Sequence, residues 1–292
     1  MLPVIYLYNI RIYPYGMMMG IGIASAVILF EKKCKRLGFN EDSAFNAAII
    51  SVIGGLIGSK IFYYIVEYKE FLKNPLDMIK DFGNGFLIYG GVAGGVLAAY
   101  LYTRKKGWPF LKIFDIAAPF IALAQGFGRI GCLFAGCCYG KETRSVFSIR
   151  LNNSPFAPHD VNLIPTQIIS SIVDFSIFAI LIIFDNRKKN KNDGETGALY
   201  LLLYGIARFI IEYFRGDPRG TVFNIMSTSQ FICIFAVAAS IIMFRIAVNK
   251  RRKAIEEFYD REDDDNSQAI LSVDTEKSEN KNDVKGNAGK LS

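Results

Sequence analysis

Seven blocks of mostly apolar residues, each about 17–25 residues long, constrain the fold of this chain more than any other feature. They cover roughly residues 14–30, 47–66, 86–103, 113–136, 167–184, 197–214 and 229–248. Because a helix needs about 20 apolar residues to cross a hydrocarbon core, each block is long enough to span a membrane. The blocks predict an all-α polytopic membrane protein with seven transmembrane helices, whose membrane domain covers residues 1–253.

Clusters of lysine and arginine follow every second apolar block. They come after the first, third, fifth and seventh blocks: Lys32, Lys33, Lys35 and Arg36; Arg104, Lys105 and Lys106; Arg187, Lys188, Lys189 and Lys191; Lys250, Arg251, Arg252 and Lys253. Basic residues gather on the cytoplasmic side of membrane proteins. We therefore predict that the N-terminus lies outside and the C-terminus in the cytoplasm. An alternative with six crossings, in which the glycine-rich fourth block is re-entrant, stays open.

The basic clusters lie at the ends of apolar blocks, so the formal net charge of +7 indicates membrane orientation rather than a nucleic-acid partner. No short apolar stretch with a cleavage site precedes the first block, and we expect no removable signal peptide. Residues 254–292 are rich in charged and small polar side chains, which predicts a disordered cytoplasmic tail. The outer connections, 67–85 and 137–166, are long enough to carry short interfacial helices.

Ionisable residues inside the apolar blocks are the strongest functional signal. A charged side chain at the bilayer centre costs at least about 2.5–3.5 kcal/mol, so Arg129, Asp174, Arg208 and Glu212 need a reason to be there. Arg208 and Glu212 are four residues apart and share a helix face, where they can form a structural ion pair. Asp174 is either a structural acceptor for neighbouring hydroxyl groups or part of a functional site.

The predicted topology brings several of these residues to the outer half of the membrane. Arg129 lies in the outer part of the fourth span, and Arg208 lies about 9 Å below the outer end of the sixth. Tyr15 and Tyr89 stand at the outer starts of the first and third spans. Arginine binds phosphate through two parallel hydrogen bonds. The pattern therefore predicts a binding site for an anionic, amphiphilic molecule of the outer leaflet, and a phospholipid has these properties.

Glycines cluster in the second, third and fourth blocks, and two interpretations apply to them. Most are typical of close helix packing through small residues. The run from Gly126 to Gly131 is denser, and we expect irregular backbone there that approaches a head group across a cavity. A dinucleotide-binding loop is rejected because no strand precedes the run.

An ordered set of motifs resembles one known family. It comprises Tyr15-Gly16, Tyr89-Gly90-Gly91, Gly128-Arg129-Ile130-Gly131, Pro165-Thr166-Gln167, and Tyr204-Gly205-Ile206-Ala207-Arg208-Phe209 with Glu212. Over roughly residues 10–248 the chain is similar to the bacterial prolipoprotein diacylglyceryl transferases. The resemblance implies a multi-pass enzyme of the inner membrane that moves a diacylglyceryl group from phosphatidylglycerol to a cysteine of a secreted prolipoprotein.

The resemblance also implies roles for individual residues. Arg129 and Arg208 would hold the phosphate and stabilise charge on the leaving group, and Tyr89 would join them as a catalytic residue. Residues implied to bind or shape the substrate are Tyr15, Gly90, Gly91, Gly128, Gly131, Gly140, Tyr204 and Glu212. No cofactor is implied. Open alternatives are a family member with another acceptor or lipid donor, and a non-enzymatic binder or transporter of an anionic lipid.

The chain departs from the family pattern at four positions. Tyr89 stands where the family has a histidine, Cys132 where it has an asparagine, Cys137 where it has an acidic residue, and Ser170 where it often has a glutamate. A phenol is a poorer base at neutral pH than an imidazole. Either Tyr89 acts mainly as a hydrogen-bond donor, or the acceptor thiol is activated in another way.

Cys132, Cys137 and Cys138 form a C-x4-C-C pattern with three open interpretations. They are metal binding, redox chemistry, and packing by small polarizable side chains. Packing is favoured and no metal is expected, because a zinc site usually needs a second pair of ligands and the chain has one histidine. That histidine, His159, is expected to be an ordinary residue of an outer loop, with a back-up role as a base.

Overall fold

The computed structural model describes residues 5–7, 10–73, 75–80, 85–187, 192–217, 220–222, 225–250 and 252. Within these residues the chain forms nine helices: α1 (Pro14–Arg36), α2 (Glu41–Val66), α3 (Tyr68–Lys73), α4 (Pro75–Lys80), α5 (Ile88–Lys105), α6 (Phe110–Ala135), α7 (Thr166–Arg187), α8 (Glu195–Glu212) and α9 (Thr228–Lys250). Two short hairpins, β1 (Ile5–Leu7) with β2 (Ile10–Ile12) and β3 (Thr221–Val222) with β4 (Met226–Ser227), complete the described elements.

The seven long helices coincide with the seven predicted spans. Within the described residues, α1, α2, α6, α7 and α9 are long and apolar enough to cross a membrane. The other two are shorter and more charged: α5 has 18 residues and ends on Arg104 and Lys105, and α8 has 18 residues and contains Glu195, Arg208 and Glu212. The chain is therefore a polytopic all-α membrane protein, while the count of seven crossings and the orientation stay predictions.

The chain divides into two compact units, Met1–Phe244 and Arg245–Ser292. The described residues of the second unit, 245–250 and 252, are helical. The predicted disordered tail, 254–292, lies outside the described residues.

Polar groups explain where several helices begin and end. The side chain of Asn40 caps α2 by accepting a hydrogen bond of 2.8 Å from the Ser43 backbone N–H. Gly136 ends α6 in a left-handed conformation (φ 72°), which glycine adopts without strain. At the start of α8, the buried carboxylate of Asp115 accepts hydrogen bonds of 2.7 Å from the backbone N–H groups of Gly194 and Gly197.

Two apolar clusters form the core of the helix bundle. One lies between α1, α2 and α6, and the other between α6, α7 and α8; their buried members are Phe30, Cys34, Ala44, Ile113, Ile116 and Phe120, and Ala118, Ala122, Ile177, Leu181 and Tyr200. Large apolar side chains also cover the outward faces, such as Leu56, Ile57 and Ile61 of α2, each more than half exposed. A continuous apolar exterior of this kind is stable in lipid and unstable in water.

Helix α2 packs on α5 through glycines on both helices. A side chain at Gly58 would place its Cβ 2.5 Å from the Gly90 carbonyl oxygen and 2.8 Å from the Gly94 Cα. Helix α1 packs on α6 in the same way at Gly22, where a Cβ would lie 2.8 Å from that of Phe127. These glycines bring helix backbones together, as the packing interpretation predicts.

The expectation of irregular backbone at 126–131 is wrong. Helix α6 runs unbroken from Phe110 to Ala135, so its glycines do not break the helix. In lipid a broken turn leaves backbone groups unsatisfied, whereas an unbroken helix satisfies them. Residues 137–165, all of which the structure describes, form turns and isolated bridges instead of a helix. In the 67–85 connection the short helices α3 and α4 are present as predicted.

Candidate active site

The predicted site residues lie at one end of the bundle, which we call the site end. There α1, α5, α7 and α9 begin and α2, α6 and α8 end. Three contacts define it: Tyr15 packs over Gly131, Gln167 donates a 2.8 Å hydrogen bond to the Cys137 carbonyl, and Arg208 reaches Ser229. The orientation rule predicts that this end faces outward.

Arg208 is buried at the end of α8 and is held by two neighbours. Its Nη2 lies 2.7 Å from Glu212 Oε2 and donates a 3.3 Å hydrogen bond to Ser229 Oγ. The Tyr89 hydroxyl is 3.3 Å from the same Ser229 oxygen. Ser229, a residue that sequence reasoning missed, thus connects Tyr89 to Arg208. The structural ion pair between Arg208 and Glu212 is present, yet Arg208 Nη1 is buried and has no hydrogen-bond partner among the described residues.

Arg129 and Asp174 face each other across the same region. Arg129 is half-buried near the end of α6, within electrostatic range of Tyr204 and Asp174. Asp174 is 4% exposed and interacts electrostatically with both Arg129 and Arg208. Among the described residues, neither Arg129 nor Asp174 forms a hydrogen bond or ion pair, so the first of the two interpretations of Asp174, an acceptor for neighbouring hydroxyls, is not what the described residues show. The nearby hydroxyls of Ser170 and Ser171 donate to the backbone carbonyls of Thr166 and Gly126 instead.

Tyrosines and glycines line the neighbouring surface. A Cβ at Gly131 would lie 3.2 Å from the Tyr15 ring, and one at Gly128 would lie 3.1 Å from the Met19 sulfur. Because these two glycines have no side chains, Tyr15 and Met19 of α1 pack directly against the backbone of α6. Tyr204 stacks on Tyr200, with ring centroids 5.8 Å apart, and so faces Arg129 from α8.

Three predicted glycines have packing roles that the structure shows directly. Gly90 and Gly91 lie in the contact between α5 and α2, next to Tyr89. Gly140 pairs with Arg215 in an isolated bridge, and its N–H donates a 3.1 Å hydrogen bond to the Ile164 carbonyl. A Cβ at Gly140 would lie 2.5 Å from that carbonyl oxygen. Whether these glycines also contact a substrate stays a prediction.

The structure brings Cys132 close to the adjacent pair Cys137 and Cys138. The Sγ atoms of Cys132, Cys137 and Cys138 all lie within 4.8 Å of one another, and within the described residues none of the three forms a disulfide. The pKa of the Cys138 thiol is lowered because it accepts hydrogen bonds from the other two thiols and lies beside the Arg215 guanidinium. The pKa of Cys137 is raised because its thiol is hydrogen-bonded to the other two.

Arg215 is a second residue that sequence reasoning missed. It is buried just beyond α8 and forms two hydrogen bonds with Asp217, of 2.8 Å and 3.0 Å, through Nε and Nη2. The only sequence signal for Arg215 was that a charged residue directly follows an apolar block. Its position beside Cys138 depends on the folded structure and could not be predicted. His159 is exposed, and its Nε2 donates a 2.9 Å hydrogen bond to the Ser154 carbonyl, so the loop-residue prediction is confirmed.

The site end offers hydrogen-bond donors to an anion. Glu212 balances the charge of Arg208, while the guanidinium of Arg129 has no hydrogen-bonding partner among the described residues. Unpaired polar groups buried in an apolar surrounding are costly unless a ligand completes them. The donors of Arg129 and the Nη1 atom of Arg208 are therefore available to an anionic ligand.

Comparison with known proteins identifies the family of the chain. The sequence profile described as prolipoprotein diacylglyceryl transferase matches residues 3–246. The chain belongs to this family. It is 49% identical over 247 residues to the phosphatidylglycerol–prolipoprotein diacylglyceryl transferase of Clostridium tetani, covering 84% of this chain and 98% of the relative.

Two further relatives carry the same name. One is transferase 2 of Clostridium perfringens, 47% identical over 247 residues, which cover 85% of this chain and 95% of the relative. The other comes from Clostridioides difficile and is 33% identical over 251 residues, covering 86% of this chain and 97% of the relative. The prolipoprotein diacylglyceryl transferase family thus accounts for the described helices almost from end to end.

Proposed function

We propose that this chain transfers a diacylglyceryl group from phosphatidylglycerol to the lipobox cysteine thiol of a secreted prolipoprotein, the first step of lipoprotein maturation, in the bacterial inner membrane. The names of its relatives support the reaction. The observation that carries it is the half-buried guanidinium of Arg129, which no described residue pairs, at the end of a lipid-facing bundle. Such a cation can donate hydrogen bonds to an anion that the membrane itself supplies.

The two arginines have different roles in this proposal. Arg129 binds the phosphate as its main partner, because its hydrogen-bond donors are not engaged by the described residues. Arg208 offers Nη1 to the same phosphate, while Glu212 and Ser229 fix the plane of its guanidinium through Nη2. A preorganised pair of donors stabilises the negative charge that develops on a leaving phosphate.

The reaction exchanges one bond at carbon. The acceptor thiolate attacks the diacylglyceryl carbon of the C–O bond next to phosphate; a C–S bond forms, and the electron pair of the C–O bond passes to the phosphate oxygen. Glycerol phosphate leaves from the two arginines. Tyr89, oriented by Ser229, donates a hydrogen bond to the bound donor, and Tyr15, Tyr204 and the glycines of α5 and α6 shape the surface that receives it.

A transfer assay tests this proposal. The full-length chain in detergent is mixed with radiolabelled phosphatidylglycerol and a lipobox peptide, and label on the peptide is measured. We expect transfer to the peptide, no transfer to its Cys→Ser version, and little from zwitterionic phosphatidylethanolamine. Binding of the labelled lipid without transfer would instead identify a lipid binder or transporter. Growth of a bacterium depleted of its own transferase, with the chain in its inner-membrane fraction, tests location and acceptor set.

A further inference from the structure

The cysteine cluster has the geometry of a metal site. Three thiolates that share one zinc ion at about 2.3 Å have sulfurs roughly 4 Å apart. The Sγ atoms of Cys132, Cys137 and Cys138 lie within 4.8 Å of one another. Thiolates select soft cations such as Zn²⁺ over Mg²⁺ or Ca²⁺. The C-x4-C-C pattern alone does not reveal this set, because the left-handed turn at Gly136 returns the chain toward Cys132.

The surroundings hold the cluster in place before any ligand arrives. Thr166 Oγ1 donates a 2.9 Å hydrogen bond to the Cys138 carbonyl, and Gln167 Nε2 donates one of 2.8 Å to the Cys137 carbonyl. The start of α7 therefore fixes both loop cysteines. Cys138 has a positive φ of 59°, a conformation that residues with side chains rarely adopt and that tends to occur at functional positions.

The charges around the cluster suit a metal bound by three thiolates. Three thiolates and a divalent cation carry a net charge of −1. Arg129 lies within electrostatic range of Cys132 and Cys138, and Arg215 lies within hydrogen-bonding reach of Cys138. Asp217 holds Arg215 by its Nε and Nη2 atoms. Such outer groups orient and balance metal ligands.

The cluster adjoins the phosphate site, because Arg129 borders both. Tyr15 lies within electrostatic range of all three cysteines and of Arg129. With three protein ligands, a zinc ion keeps a fourth position for a substrate, as catalytic zinc sites do. A thiol bound at that position would stand beside the phosphate held by Arg129.

We propose that Cys132, Cys137 and Cys138 bind a thiophilic divalent cation such as Zn²⁺, and that this ion binds and activates the acceptor cysteine. The inference rests on the proposed function. On coordination the acceptor thiol loses its proton to water. The metal-bound thiolate then forms the C–S bond as the C–O bond breaks, and the thioether product leaves the ion. This mechanism removes the need for a strong base where the family has a histidine and this chain has Tyr89.

Metal binding is tested without the reaction. Full-length protein is purified, its zinc content is measured by mass spectrometry, and Co²⁺ is then substituted as a spectroscopic probe. We expect one ion per chain and a thiolate-to-Co²⁺ absorption band. Cys137→Ser should lose both, whereas Cys34→Ala, in the core at the opposite end, should keep both. Size-exclusion and unfolding profiles check that each variant is folded. Protein that binds neither ion, or that yields a disulfide within the cluster by peptide mapping, overturns the site.

The acceptor is tested by a peptide titration. A lipobox peptide added to the Co²⁺-loaded protein in the absence of lipid should intensify the thiolate band as a fourth sulfur binds, and the Cys→Ser peptide should leave it unchanged. An unchanged band with both peptides refutes activation of the acceptor. Removal of the metal should abolish transfer, and Zn²⁺ should restore it. Full transfer by metal-free protein refutes the inference and leaves the proposed function unaffected. A metal site that responds to the peptide in a protein that transfers no label supports the metal site and refutes the proposed function.

Discussion

The two ends of the bundle use buried polar groups in opposite ways. At the end away from the site, two buried carboxylates are satisfied within the protein: Asp115 accepts from two backbone N–H groups, and Asp185 pairs with Lys33 at 2.7 Å. At the site end, Arg208 Nη1 and Gln167 Oε1 are buried and have no hydrogen-bond partner in the part of the chain that the structure describes, and no residue there forms a hydrogen bond or ion pair with Arg129. One end is built for stability, and the other keeps hydrogen-bonding capacity for a ligand.

The largest expected effect is on activity at the site end. Arg129→Ala should lower transfer about a thousandfold, because it removes the main charge that stabilises the leaving phosphate. Its unfolding temperature should stay within the error of wild type, since no described residue loses a hydrogen bond. Label transfer and thermal unfolding in detergent measure the two effects. The control is Arg36→Ala, an exposed arginine of the opposite end, which should retain full transfer; equal losses in both variants would contradict the site.

A carboxylate at the opposite end should show the reverse pattern. Asp115→Ala leaves the N–H groups of Gly194 and Gly197 without their acceptor, and should lower the free energy of unfolding by about 3 kcal/mol. Activity per folded molecule should be unchanged. Asp42→Ala, which removes an exposed carboxylate from the start of α2, is the control and should unfold like wild type. Loss of specific activity in Asp115→Ala would break the division between the two ends.

The contact between α2 and α5 links packing to chemistry. Gly58→Ala should lower the free energy of unfolding by about 2 kcal/mol, because its methyl group would meet the backbone of α5. It should also lower transfer, since α5 carries Tyr89 and its contact with Ser229. Gly20→Ala is the matched control: no side chain and no neighbouring helix among the described residues lies within 4 Å of its added Cβ, so helix packing there is unaffected. Unchanged stability and transfer in Gly58→Ala would contradict this coupling.

The smallest effect concerns an exposed pair at the opposite end. The hydrogen bond from Lys35 lowers the pKa of the Glu41 carboxyl. Stabilisation from an acid with a lowered pKa is present above its pKa in the unfolded chain, and is lost as the pH falls through its pKa in the folded protein. The difference in unfolding temperature between wild type and Glu41→Gln should therefore be small at neutral pH and vanish in acid. A difference that grows in acid has the wrong sign.

The apolar pattern made most of the fold predictable. Seven helices lie where the blocks lie, and helix rise alone places Arg129 and Arg208 at one depth, because depth in a membrane helix follows from position in the sequence. The prediction of irregular backbone in the glycine run of α6 was wrong, because a high density of glycines does not show which side chains pack against them. Phe175, Met19 and Tyr15 pack there, and the helix continues.

Contacts that depend on loops could not be predicted. Ser229 is a serine near the start of α9. Its contacts with Tyr89 and Arg208 form only because α5 and α8 pack next to it. The three cysteines approach one another through backbone turns at Gly136 and Cys138, whose handedness no hydropathy pattern encodes. The carboxylate of Asp115 reaches residues nearly eighty positions away, which only the packed bundle reveals.

The glycine contact between α2 and α5 has a consequence for how this protein can evolve. In most helix pairs a larger residue on one side is compensated by a smaller one opposite. Gly58 faces Gly90 and Gly94, which are already the smallest residues available, so no single replacement opposite can make room. Drift at this contact therefore requires a change in the distance between the two helices, and such a change would carry Tyr89 with it.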